Sequence, residues 1–72
     1  MDIKKENFKR IAESRTNKII DMISLLGNLS NKSFYDYSDE QINAIFEAIQ
    51  SELDKQRIKF QEIKNNKQRF QL

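Results

Sequence analysis

Residues 38–70 read SDEQINAIFEAIQSELDKQRIKFQEIKNNKQRF, and the spacing of the apolar side chains in this stretch decides the fold class. Ile42, Phe46, Ile49, Leu53, Phe60, Ile63 and Phe70 fall in alternating steps of four and three, with Gln56 and Lys67 as the two polar interruptions. A helix carries such residues along one side, and a rhythm kept for about four heptads reads as a coiled-coil-like seam. The seam predicts a helix over about 39–66, followed by a tail over 67–72. One helix cannot cover its own apolar stripe, so the seam requires a second helical surface.

The start of this helix carries three signals. Ser38 and Gln41 have the spacing of a capping box, Tyr37 and Ile42 that of a hydrophobic staple, and Asp39 and Glu40 place negative charge at the positive end of the helix dipole. Working back, Phe8, Ile11, Ala12, Ile19, Met22, Ile23 and Leu26 share one face of a first helix over about 4–26, with Ile20 and Leu25 widening it. The stripe is interrupted from Ser14 to Asn17. Gly27, the only glycine, is expected to end the helix in the left-handed conformation, which a residue with a Cβ adopts only at a cost. The connection then spans 27–38, polar except for Phe34, Tyr35 and Tyr37.

Two helices joined this way return on each other most simply as an antiparallel hairpin. A turn near residue 32 would set Leu26 beside Ile42, Ile19 beside Ile49 and Phe8 beside Phe60. It would also place Arg15 and Thr16 opposite Glu52, Leu53 and Gln56, a polar layer able to fix register or to reach a partner. Ile20, Leu25, Ile45 and Ile58 fall off the main stripe, and pairing with a second hairpin would cover them. The expected architecture is therefore all-α: one small domain over residues 1–72, a two-helix hairpin dimerising into a four-helix bundle. A lone hairpin docked on another protein is the alternative.

Composition narrows function further. The 72 residues contain no cysteine and no histidine, which removes disulfides, the usual zinc sites and the commonest nucleophile–base pairs. No glycine-rich phosphate loop, nucleophile elbow or facing carboxylate pair appears, so neither an enzyme nor a cofactor is expected. Asp36, Asp39 and Glu40 lack the glycine and ligand spacing of a calcium loop, and helix capping accounts for them. With no apolar run of signal or membrane-spanning length, the reading is a cytoplasmic protein without membrane contact.

Charge is unevenly distributed. Residues 1–18 hold six basic against three acidic side chains, 19–54 hold Lys32 against seven acids, and 55–72 hold six bases against Glu62. In a hairpin both basic segments would lie at one pole. Lys9, Arg10, Lys55, Arg57, Lys59 and Lys64 are accordingly the candidate phosphate contacts, directed at a DNA or RNA backbone rather than at base edges. Lysines also solvate helix ends and suit a helix C-terminus, which accounts for the same charges without a ligand. Phe34, Tyr35 and Tyr37 are the candidate contacts for a protein partner, since aromatic side chains on a polar connection anchor interfaces. Staple formation by Tyr37 and capping of the bundle end by Phe34 are the competing roles.

The runs Arg15-Thr16-Asn17-Lys18, Ile23-Ser24-Leu25-Leu26-Gly27-Asn28-Leu29-Ser30-Asn31 and Tyr35-Asp36-Tyr37, with Ile42, Ile45 and Phe46, resemble short helical proteins on mobile genetic elements of Gram-positive bacteria. The resemblance spans residues 8–60. It implies a phage or conjugative-element setting, in which small proteins handle DNA or modulate another protein, and it supplies no site residue. Three readings follow: a nucleic-acid-associated or regulatory protein, a protein-binding adaptor or inhibitor that touches no nucleic acid, and a structural assembly subunit.

Overall fold

A computed structural model describes the backbone of residues 2–69 and the side chains of residues 2–64. The described residues form two α-helices, α1 over Ile3–Gly27 and α2 over Asp39–Arg69, with one 3-10 turn over Asn28–Ser30 and no strand. The chain divides into two compact units, Met1–Asp36 and Tyr37–Leu72, which are taken in turn.

In the first unit, helix α1 begins at a cap that the apolar pattern does not announce. The Asp2 carboxylate accepts the Lys4 and Lys5 N–H groups at 3.1 and 3.3 Å, and the Asp2 carbonyl accepts Glu6 N–H at 3.1 Å. Free N–H groups of the first turn thereby gain partners, and a negative charge sits at the positive end of the dipole. The other end of α1 corrects the expectation for Gly27. Its φ and ψ are −59° and −30°, ordinary right-handed values, and no described residue has a positive φ. Backbone N–H groups at the Asn28 cap instead donate to the carbonyls of Leu25 and Leu26, and the chain tightens into the 3-10 turn. A 3-10 turn satisfies terminal carbonyls without reversing the backbone hand, so the glycine's special freedom is not used.

The connection is held by Asn31. Its side-chain oxygen accepts Ser33 N–H at 3.0 Å, and its carbonyl accepts the N–H groups of Phe34 and Tyr35, both at 3.1 Å. An asparagine that bonds to the backbone two residues on, in place of a helical bond, marks a turn with its own local structure.

In the second unit the capping box forms in both directions. Ser38 N–H donates to Gln41 Oε1 at 2.9 Å, Gln41 N–H donates to Ser38 Oγ at 3.1 Å, and Ile42 N–H donates to the Ser38 carbonyl at 3.1 Å. Tyr37 and Ile42 are both half-buried, as the staple requires. From there α2 runs for 31 residues, which at 1.5 Å per residue is about 46 Å. It passes the expected end near 66 because no proline or glycine follows to stop it. Phe70, the last seam position, lies outside the described residues, as does the side chain of Lys67.

No described side chain is buried. Ala12, Leu26, Ile42 and Ile49 are half-buried on their own helices, while Phe8, Ile19, Phe46, Leu53, Phe60 and Ile63 remain more than half exposed. Within each unit the helix is held by its backbone ladder and caps, and most of its large apolar side chains are exposed. Full burial of a Leu, Ile or Phe side chain contributes about 1.5–3 kcal/mol, so covering the stripes is the largest stabilisation open to the chain.

Candidate functional site

The continuity of α2 through residues 42–64 fixes where its candidate side chains project. At about 100° per residue, Lys55 and Lys59 lie ~40° apart on one side of the helix, while Arg57 and Lys64 lie ~20° apart on roughly the opposite side. The four cations therefore form two pairs, not one continuous face. Lys55 and Lys59 share their side with Glu52 and Glu62, so the local field there is mixed. Arg57 and Lys64 stand beside the apolar seam in a row with Asn43 and Gln50, and Asp54, one turn before Arg57 and bonded to Gln50, brings an acid near Arg57 as well. On α1, Lys9 and Arg10 are adjacent in sequence and diverge by ~100°. Lys9 lines an open hollow along one helix face with Lys5, Phe8 and Ala12, and Asp2, Glu6 and Glu13 line it too, so the field there is mixed.

The aromatic candidates separate into two roles. Tyr37 is half-buried at the start of α2, in the packing position its spacing indicates. Phe34 is 79% exposed and Tyr35 49% exposed. Both follow the Asn31 turn, whose carbonyl accepts their backbone N–H groups. An aromatic ring held out on an anchored turn has already lost much of its backbone freedom, which lowers the entropic cost of docking. Asn31, which anchors the turn that carries these candidates, had no role in the sequence reading. Its signal was an Asn two residues before a Ser within a polar run, the local pattern of an Asx turn.

The seam of α2 also shows how its polar interruption is accommodated. The Gln56 side-chain amide donates to the Glu52 carboxylate one turn earlier. Gln50 donates in the same way to Asp54 at 2.9 Å. Gln56 thus reaches the seam with a hydrogen-bond partner on its own helix, which reduces the cost of placing an amide among apolar side chains.

Among the described residues, no group of three His, Cys, Asp or Glu side chains is placed to hold a metal ion, and no helix is long and apolar enough to cross a membrane. No family model matches this chain, and no curated protein or solved structure is significantly similar to it.

Proposed function

We propose that this chain is a non-enzymatic interaction protein of a phage or mobile element. In this reading its helices fold back as an antiparallel hairpin, and two hairpins complete a four-helix bundle. The observation that carries the reading is the pair of apolar stripes: each helix presents large apolar side chains at seam spacing, and among the described residues none is fully buried. A chain without disulfides or histidine ligands has association as its remaining route to a covered core. Solution mass and helical circular dichroism across a dilution series test this directly. Mass and helicity should fall together on dilution, whereas a monomer that keeps full helicity at the lowest concentration would refute self-association.

The basic residues then serve phosphate backbone, with Arg57 and Lys64 as one pair beside the seam. Lys9, Arg10, Lys55 and Lys59 add charge at the same pole. Binding to duplex DNA and to structured RNA at low and moderate salt is the test. Affinity should weaken steeply as salt rises, and affinity that is absent at low salt or indifferent to salt removes the phosphate role.

A protein-binding adaptor is favoured by a separate observation, the exposure of Phe34 and Tyr35 on the Asn31 turn. Under that reading Arg57→Glu with Lys59→Glu leaves partner capture intact, and Tyr35→Ala impairs it.

A further inference from the structure

Helix α2 carries its charge in two blocks. Asp39, Glu40, Glu47, Glu52 and Asp54 occur before residue 55 without one basic side chain, and Lys55, Arg57, Lys59 and Lys64 follow against Glu62 alone. The sign changes between Asp54 and Lys55, which is also the middle of the seam from Phe46 to Ile63. A parallel pair of α2 helices would set acid over acid and base over base. An antiparallel pair related by a two-fold axis at 54/55 sets each block against its opposite.

We infer that α2 pairs antiparallel with α2 of a second copy, in the register that places each seam residue beside the seam residue whose number completes 109, and that Glu52 with the partner's Lys59, on the flank of that seam, selects this register. The inference rests on the self-association proposed above and names its contact. In this register Phe46 meets the partner's Ile63, Ile49 meets the partner's Phe60, and Leu53 meets the partner's Gln56, so the seam residues form continuous layers. Like flanks of the heptad face each other in an antiparallel pair. Glu52 and Lys59 are seven residues apart and share one flank, so the two-fold axis brings Glu52 to the partner's Lys59 twice. The other flank, with Asn43, Gln50, Arg57 and Lys64, is left to the side on which the proposed hairpin brings α1.

Neighbouring registers fail on the same flank. A shift by one heptad one way places Lys59 on the partner's Lys59, and the other way places Glu52 on the partner's Glu52. Like charges at the symmetry axis oppose both. The Gln56 amide, already bonded to Glu52, enters the central layer with its donor satisfied, and a polar seam position of this kind specifies register at some cost in stability. Ile45 lies on the Glu52 flank, so the same contact covers one of the apolar residues left off the main stripe.

The test uses the full chain in three forms, E52K, K59E and an equimolar mixture of the two, with mass measured by sedimentation at low salt. Each variant alone places two like-charged pairs across the axis, and its dimer dissociation constant should rise by about tenfold. The mixture restores both opposite-charge pairs and should recover a heterodimer near the parent affinity. Single variants that dimerise as well as the parent, or a mixture no tighter than its components, would overturn the register.

Orientation is read separately with spin labels on Ser51→Cys or Ala44→Cys, both on the side away from the seam, in a chain with no other cysteine. The antiparallel register offsets the two Ser51 positions by ~10 Å along the axis and the two Ala44 positions by ~32 Å. The Ala44 labels should therefore lie at least ~10 Å farther apart than the Ser51 labels. Equal distances at the two sites in a dimer would refute the antiparallel contact while leaving self-association standing, and a monomer at every concentration would refute both.

Discussion

Replacing Gly27 by alanine gives an experiment in which the sign alone separates two backbone conformations. Gly27 is the last residue of α1 and has φ −59° and ψ −30°, and a Cβ built on it meets nothing within 4 Å. Alanine is favoured over glycine by about 0.8–1.0 kcal/mol in a helix interior, chiefly because the unfolded glycine has more backbone freedom to lose. At a helix end that continues into a 3-10 turn, roughly half of that remains, so Gly27→Ala should stabilise the chain by ~0.5 kcal/mol. Had Gly27 closed the helix in the left-handed conformation, the same substitution would cost roughly 1–2 kcal/mol. Urea unfolding followed by helical circular dichroism measures the difference. Parent and variant must be compared at one protein concentration, because association contributes to apparent stability. A gain confirms the right-handed end, and a loss of about 1 kcal/mol or more would show that the glycine's freedom is required there after all.

Other substitutions follow the same logic. Ser38→Ala removes the hydroxyl that accepts Gln41 N–H and should cost about 1 kcal/mol in the same assay. Combining it with Gln41→Ala should cost less than the two separate losses, because the box is reciprocal. Phe34→Ala should change stability by less than about 0.5 kcal/mol, since the ring is 79% exposed. A larger loss would mean that Phe34 packs within the folded assembly rather than standing ready for a partner. Leu53→Asp places a carboxylate in the middle of the α2 seam and should shift the mass to monomer at concentrations where the parent is associated. An associated Leu53→Asp variant would exclude this face of α2 from the contact. Asp2→Ala should lower helicity at the start of α1, with the loss confined to its first turns in a hydrogen-exchange profile, because the carboxylate bonds to Lys4 and Lys5 N–H.

Some of this was legible in the chain because it is local chemistry. The alternating steps from Ile42 to Ile63 require helical periodicity, and α2 follows them without a break. Ser38 and Gln41 could be paired from spacing alone, since a capping box joins groups only three residues apart. Asp2 escaped notice because apolar periodicity starts at Phe8 and says nothing of a cap one turn and more upstream. The phosphate candidates were grouped by charge along the sequence. Helical geometry then divided Arg57 and Lys64 from Lys55 and Lys59, because sign is a property of composition and direction a property of the backbone.

Residue order thus sufficed for two helices, their apolar faces and the start of the second, all set by interactions spanning four residues or fewer. Three dimensions were needed for the conformation of Gly27, the anchoring of the connection by Asn31 and the bond that shelters Gln56. A glycine permits either backbone hand, and an asparagine or glutamine amide can bond in several directions. Neighbouring geometry selects among these options, and no single residue type encodes that selection.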